Sequence, residues 1–241
     1  MPYAPVLHAE WLKIRTLRSL LGALSALFAA TTAFSALAGV SETSDPDFDP
    51  LFTALSGVAP GQIAAISFGA MAVSSEFHSG ALRLSLAAVP RRGRWYAAKL
   101  TAIAVPTLVV GLATALAALL VAKAGLGDAA SGLTTAEQAR GVVGCGLYLM
   151  LMALLAAGLT ALLRSGTGAL SLLIPFVLVV SFVIGDAVGG ATDFLPDRAG
   201  QVVLHESYEG RLGPWTGLGV TALWTGAVLA AGAWSVRRRD A

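Results

Sequence analysis

The chain has 241 residues, of which 56% are hydrophobic and only 12% are charged. A soluble globular domain has about 25% charged residues, so this composition excludes that class and predicts a protein embedded in a lipid bilayer. The formal net charge of +2 hides an uneven distribution of charge along the chain.

Charge-free stretches define the predicted spans. Six stretches of 20 or more residues lack Asp, Glu, Lys and Arg: 19–41, 50–75, 100–122, 141–163, 165–185 and 212–236. A helix rises about 1.5 Å per residue, so about 20 residues cross a hydrocarbon core of about 30 Å. Continuous Ala- and Leu-rich runs favour helices over alternating barrel strands. We predict an all-α integral membrane protein, one domain over 1–241, with spans at approximately 19–41, 54–75, 97–122, 141–163, 165–185 and 214–236.

The N-terminal segment 5–18 predicts a short amphipathic helix, because Leu7, Trp11 and Ile14 fall on one face at helical spacing. The polar residues His8, Glu10, Lys13 and Arg15 are spread around the rest of the helix. A simple basic anchor for the first span is the alternative. We expect no cleavage after Ala36-Leu37-Ala38, since the first charge-free run exceeds a signal core of about 7–15 residues.

Basic residues favour the cytoplasmic side of a membrane, and this sets the predicted orientation. With the N-terminus inside, 12 of the 16 basic residues are cytoplasmic and 11 of the 14 acidic residues are external. Both termini are therefore predicted to be cytoplasmic.

Between the second and third spans, residues 76–99 form the one compact charged segment. Its first part, 76–89, predicts a short cytoplasmic helix that ends at Pro90, and Trp95-Tyr96 then marks the membrane interface. The arginines Arg91, Arg92 and Arg94 are suited to an acidic partner or anionic lipid, or serve only to set topology.

Glycine and proline residues predict where helices end, bend or pack closely. The segment 186–213 contains Gly189-Gly190 and Pro196 and too few apolar residues to span, which predicts a short helix at the outer surface or re-entering it. Pro106 and Pro175 predict kinks in the third and fifth spans. Small residues at four-residue spacing permit close helix contacts: Gly22 with Ala26, Gly111 with Ala115, and Gly213 with Gly217.

Residues that carry chemistry are scarce. The six charge-free runs hold no acidic or basic side chain, which disfavours an intramembrane enzyme and an ion-driven transporter. His8, His78 and His205 lack metal-ligand spacing, and Cys145 has no second cysteine to pair with. No Gly-Lys-Ser or Gly-Lys-Thr is present, so we expect no ATP site in this chain and no enzymatic activity of its own. Energy-driven transport would then need a separate ATPase.

The segment between the second and third spans resembles the cytoplasmic loop of permease subunits of ABC-2-type transporters. The matching order is Glu76-Phe77-x-x-Gly80-x-Leu82-Arg83-x-Ser85-Leu86-x-x-x-Pro90-x-x-x-Arg94, closing on Ala97-Ala98-Lys99. The opening Glu10-Trp11-x-Lys13-x-Arg15-Thr16 is similar to that family as well. Ala81 departs from the pattern, because the family usually has Thr after the Gly.

The resemblance implies two functional elements. The N-terminal helix would be a connecting helix, with Glu10, Trp11, Lys13 and Arg15. The segment 76–89 would be a coupling helix seated on an ATPase subunit, and its interface residues would be Glu76, Phe77, Gly80, Leu82, Arg83, Leu86, Pro90, Arg91 and Arg94. ATP and Mg would be bound by the partner, and this chain would hold no cofactor or metal.

The leading hypothesis is therefore an exporter permease in the plasma membrane of a bacterium, working with an ABC ATPase, a second permease copy or paralogue, and membrane lipid. We expect no nucleic-acid partner. A non-transporting membrane sensor or assembly protein that recruits a soluble partner through the same loop is the alternative. Family members mostly export antibiotics, peptides, lipids or polysaccharides, and the pattern does not distinguish among these.

Overall fold

A computed structural model describes residues 3–40, 48–77, 85, 89, 91–180, 189–207 and 210–238. Within these ranges the regular structure is helical, with no strand. The α-helices are α1 (Tyr3–Thr16), α2 (Arg18–Gly39), α3 (Pro50–Leu55), α4 (Val58–Ser74), α5 (Arg92–Leu126), α6 (Thr135–Leu163), α7 (Gly166–Pro175), α8 (Pro196–Gln201) and α9 (Pro214–Arg238).

Five helical stretches of the described chain are long and apolar enough to cross a membrane: Arg18–Gly39, Pro50–Ser74, Arg92–Ala130, Thr135–Leu163 and Pro214–Arg238. They coincide with the predicted first, second, third, fourth and sixth spans. The structure is thus that of an all-helical chain compatible with a multi-pass membrane protein.

The two prolines have different surroundings. Pro106 lies buried inside α5, and this 35-residue helix continues without a break on both sides of the proline. At Pro175, in contrast, α7 ends and a π-helical turn follows at Phe176–Val180. Proline cannot donate the backbone hydrogen bond that continues an α-helix, and a change of helical register at that point accommodates the missing donor. Of the predicted fifth span, the structure describes residues 165–180.

The region of the second predicted span consists of two helices, α3 and α4, and not of one continuous helix. Asp49 caps α3 by accepting a hydrogen bond from the Phe52 backbone N–H at 2.9 Å, and Pro50 occupies the first helical position. A turn at Ser56-Gly57 separates α3 from α4. The Gly57 N–H donates to Ser35 Oγ at 3.1 Å, so the turn is held against α2.

The longest apolar helices pack around α6, which lies against α4, α5 and α9. α2 completes the bundle by packing on α4 and α5, and α7 packs on α4 and α6. Only Arg164 and Ser165 separate α6 from α7, and Ser165 Oγ accepts a hydrogen bond from the Gly168 N–H at 3.0 Å. Buried aromatic side chains, including Phe68 and Tyr148, fill the interior.

Small residues allow the closest helix contacts. A Cβ at Gly69 would lie 2.0 Å from the Ala153 carbonyl oxygen, so α4 and α6 touch backbone to backbone there. A Cβ at Gly111 would lie 3.2 Å from the Gly146 Cα, and one at Gly217 would lie 2.2 Å from the Ala199 carbonyl oxygen. Gly22, also predicted to permit contact, has nothing within 4 Å.

The short helices between the fifth and sixth predicted spans run beside α9. Thr221 Oγ1 donates to the Pro196 carbonyl at 2.7 Å, and Trp224 Nε1 donates to the Phe194 carbonyl at 2.9 Å. Ala199 lies beside Gly217, near the start of α9, and Phe194 lies beside Trp224, two turns further along. The segment and α9 therefore run in opposite directions. Since a helix rises about 1.5 Å per residue, this segment follows roughly the first 15 Å of α9.

We expect Gly69→Ala to destabilise the protein by about 1–3 kcal/mol, because the added methyl group meets a backbone atom that cannot rotate away. Gly22→Ala is the matched control, and it should be neutral or slightly stabilising, since the position is open and Ala favours helix. Thermal unfolding of the two variants in the same detergent measures the difference. Equal melting temperatures would contradict the close packing of α4 on α6.

Candidate functional site: a buried charge cluster

Four charged side chains that are far apart in sequence meet at one end of the helix bundle. Lys13 Nζ lies 2.9 Å from Glu10 Oε1 and 2.7 Å from Glu76 Oε1. Lys99 Nζ lies 2.7 Å from Glu76 Oε1 and also forms an ion pair with Glu10 Oε2. We call these four residues the charge cluster.

Three helices position the charge cluster. Glu10 and Lys13 lie one turn apart on α1, Glu76 lies in the turn that follows α4, and Lys99 lies in the second turn of α5. The end of α4 and the start of α5 belong to the same end of the bundle, because these two helices are joined by residues 75–91. α1 lies against α5 and brings the remaining two charges.

The loop itself is attached to the charge cluster through Ser85. Ser85 Oγ donates to Glu76 Oε2 at 3.1 Å, and Lys13 Nζ donates to Ser85 Oγ at 3.4 Å. Glu76 thus accepts hydrogen bonds from α1, from α5 and from its own loop.

Burial makes these contacts strong. Glu10 and Lys99 are each 3% exposed and Glu76 is 2% exposed, whereas the Lys13 side chain is 37% exposed. An isolated charge in such surroundings carries a large desolvation penalty. With two acids and two bases, the cluster has zero formal charge, and each carboxylate faces both ammonium groups.

The pKa values of two cluster residues are shifted. Burial by itself would raise the pKa of Glu76, but the nearby Lys99 charge and the hydrogen bonds from both lysines hold that pKa below its ordinary value of 4.5. Burial would also lower the pKa of Lys13, and its hydrogen bonds to Glu76 and Glu10 hold that pKa above its ordinary value of 10.5. Both groups are therefore ionised at neutral pH.

The buried face of α1 differs from the predicted one. We expected Leu7, Trp11 and Ile14 to share an apolar face and Glu10 to lie among the polar residues. The buried residues are Val6, Glu10 and Ile14, while Leu7 and Trp11 are half-buried. The prediction was wrong for Glu10 because periodicity treats a carboxylate as solvent-facing, and here a lysine from α5 compensates its charge.

Other predicted interface residues lie nearby or beyond the described chain. Phe77 and Arg94 are half-buried, and Arg15 and Arg91 are exposed. Glu76 and Phe77 lie in a turn, and Gly80, Leu82, Arg83, Leu86 and Pro90 lie outside the described residues, so the helix predicted over 76–89 stays a prediction.

Trp95 and Tyr96, which we predict to mark the membrane interface, are buried in the protein at 1% and 5% exposure. The Tyr96 hydroxyl donates to the Leu229 carbonyl at 3.4 Å, so Tyr96 packs against α9. Beside it, Arg92 Nη1 donates to the Val236 carbonyl at 3.1 Å. A cation at the C-terminal end of a helix is favourable, and this contact joins the start of α5 to the end of α9.

Sequence reasoning did not identify Lys99 as a partner of Glu76 and Glu10. The available signal was that a lone acid ends the second charge-free run and a lone base precedes the third, on the same predicted side of the membrane. Among the described residues, no group of three or more His, Cys, Asp or Glu side chains could hold a metal ion.

No protein-family model matches the chain, and no curated protein matches its sequence. A functional assignment therefore depends on the residues and on the geometry of the charge cluster.

Lys99→Met should destabilise the protein by about 3–5 kcal/mol, because it leaves Glu10 and Glu76 buried with only the half-exposed Lys13 to compensate them. Lys123→Met removes a lysine of the same helix whose described side-chain partner is the neutral Gln138, at 3.2 Å, and it is the matched control. Chemical unfolding in detergent compares the two variants. If Lys99→Met lowers the free energy of unfolding no more than Lys123→Met does, the energetic role of the cluster is contradicted.

The stabilisation from Glu76 should depend on pH with a definite sign. Since the folded-state pKa of Glu76 lies below 4.5, its contribution is fully present above pH 4.5 and is lost as the pH falls through the folded value. The melting temperatures of the wild type and Glu76→Gln should therefore differ by a constant amount near neutral pH and converge in acid. A gap that widens as the pH falls below 4.5 would contradict this sign.

Proposed function

We propose that this chain is the membrane-spanning permease subunit of an ATP-driven exporter of the ABC-2 type. In this proposal the chain crosses a bacterial plasma membrane six times, with both termini in the cytoplasm. Two permease copies, or one copy and a paralogue, enclose the substrate path. ATP is hydrolysed by separate ATPase subunits.

The charge cluster is the observation that carries the proposal. It joins the loop after α4 to α1 and to the beginning of α5 through buried ion pairs, and Ser85 extends the network into the loop. A displacement of the loop would therefore be transmitted to α1 and α5 together. A 35-residue helix such as α5 extends roughly 50 Å, long enough to carry that movement across a bilayer.

The proposed ATPase interface is the surface of residues 76–94. Arg91 is exposed and Arg94 half-buried at the start of α5, where they would face acidic groups of a soluble partner. Gly80, Leu82, Arg83, Leu86 and Pro90 would complete the contact, as the family resemblance implies. Closure of the ATPases on ATP would move the two loops and alternate access to the path between the permease copies.

The proposal predicts that the cluster couples the permease to ATP hydrolysis. The full chain is co-expressed with the ATPase encoded beside it and reconstituted in lipid vesicles, and ATP hydrolysis is compared with that of the ATPase alone. Coupling free energies of about 1–3 kcal/mol correspond to roughly 5–150-fold, so we expect Glu76→Gln to reduce the permease-dependent change in rate by about fivefold or more. Arg94→Ala should weaken the complex.

Glu206→Gln is the matched control, because it makes the same substitution at a half-buried position near the start of α9, remote from the cluster. It should leave both complex and rate unchanged. If Glu76→Gln and Arg94→Ala also leave the complex and the rate intact, the coupling role fails. Purification with a soluble partner that is not an ATPase would instead favour a membrane sensor or assembly protein.

A further inference from the structure

A second polar region lies at the opposite end of α4 from the charge cluster. It is a pocket of about 380 Å³ that opens to the surface between α3, α4, the π-helical turn after α7, and α8. This volume is in the range of about 300–1,000 Å³ that is typical of small-molecule sites. The 17 residues of α4 separate the pocket from the cluster by roughly 25 Å.

A hydrogen-bonded triad of Gln62, Tyr148 and Gln201 lies beside the pocket. The buried Tyr148 hydroxyl donates to Gln62 Oε1 and accepts a hydrogen bond from Gln201 Nε2 at 3.2 Å. Gly200 makes this approach possible, since a Cβ there would lie 2.4 Å from the Tyr148 ring. The triad thus joins α4, α6 and α8 by one chain of donors and acceptors.

The Tyr148 hydroxyl bonds one half of each glutamine amide. Because its hydroxyl hydrogen is given to Gln62 Oε1 and its oxygen accepts from Gln201 Nε2, one half of each amide is used inside the triad. The remaining Gln62 Nε2 and Gln201 Oε1 make no hydrogen bond to any described residue, and both side chains line the pocket. The pocket therefore offers one amide donor and one amide acceptor side by side.

The rest of the lining includes an aromatic pair and aliphatic side chains. The rings of Phe52 and His205 stack with centroids 4.2 Å apart and planes 7° from parallel. Asp49 holds this pair in place, since its Oδ2 lies 3.0 Å from His205 Nδ1 while its Oδ1 caps the Phe52 backbone N–H. Val177 and Leu178, from the π-helical turn, supply the aliphatic wall.

The charge on the lining limits the ligand class. Asp197 and Arg198 both border the pocket, so the carboxylate and the guanidinium balance each other. A ligand with one net charge would find no surplus of the opposite sign there, whereas a neutral ligand with its own amide donor and acceptor matches the two free glutamine atoms.

We propose that this pocket is a binding site for a neutral, amide-bearing small molecule with an apolar or aromatic group. The ligand amide accepts from Gln62 Nε2 and donates to Gln201 Oε1, and its apolar group lies between the Phe52–His205 stack and Val177. The site lies within one chain, whereas the proposed transport path lies between two permease copies, so the pocket does not depend on the exporter proposal.

N-acetyl-phenylalaninamide is the probe that tests the site, because it is neutral and carries two amides and one aromatic ring. Saturation-transfer NMR on the full chain in lipid nanodiscs measures its dissociation constant, and empty nanodiscs measure partition into lipid. We expect saturable binding only where the protein is present. N-acetyl-phenylalanine, the matched anion, should bind about tenfold more weakly or worse.

Two variants locate the binding in the pocket. Gln62→Leu removes the free donor, and Ala59→Trp places a bulky side chain in the pocket from an exposed position. Each variant should raise the dissociation constant of the probe by about tenfold or more. Ala222→Trp, at an exposed position of α9 outside the pocket lining, is the matched control. It should bind the probe with the same dissociation constant as the wild type.

Unsaturable uptake equal to that of empty nanodiscs would overturn the proposal, as would wild-type affinity in Ala59→Trp. Tighter binding of the anion than of the neutral probe would overturn the assigned ligand class. The assay needs no ATPase, so its failure leaves the exporter proposal intact, and loss of ATPase coupling leaves this site intact.

Discussion

The constraint on which the arrangement depends is that three charges at one end of the bundle are removed from water and must be paired. Glu10, Glu76 and Lys99 are each at most 3% exposed, and each would be strongly destabilising alone. Their pairing is possible only when α1 lies against α5 and the turn after α4 lies between them. The charge cluster therefore defines the relative positions of three elements at once, which apolar packing between smooth Ala- and Leu-rich helices would define less sharply.

One helix, α4, carries a polar site at each end. Close contacts with α2 and α6 fix its position in the bundle. Gly57 and Gly61 press against Thr31 on α2, and Gly69 presses against Ala153 on α6. Close contacts of this kind leave α4 little freedom to slide. The charge cluster at one end and the Gln62–Tyr148–Gln201 triad at the other are thus two polar networks on one firmly packed helix, the first suited to transmitting movement and the second to recognising a ligand.

Much of the fold could be predicted because long charge-free runs are informative about where long apolar helices lie. Five predicted spans coincide with helices of sufficient length, and the breaker-rich segment 186–213 contains the short helices α8 and Gly189–Phe194, which run beside α9. Local reasoning was weaker where a charge was compensated across the fold. Glu10 was assigned to the polar side of α1, and the burial of Trp95 and Tyr96 inside the protein was not anticipated, because one-dimensional patterns cannot show which neighbouring helix covers a side chain.

The sequence by itself determined the helical class, the approximate limits of five long apolar helices and the residues that end each charge-free run, since desolvation of a charge is costly whatever the tertiary arrangement. Only the tertiary structure decided that Lys99 pairs with Glu10 and Glu76, and that Gln62, Tyr148 and Gln201 form one network. These partners are 23 to 139 residues apart, and whether they meet depends on how the helices pack. A charge at the edge of a span is compatible with water, lipid headgroups or a buried partner, and packing selects among the three.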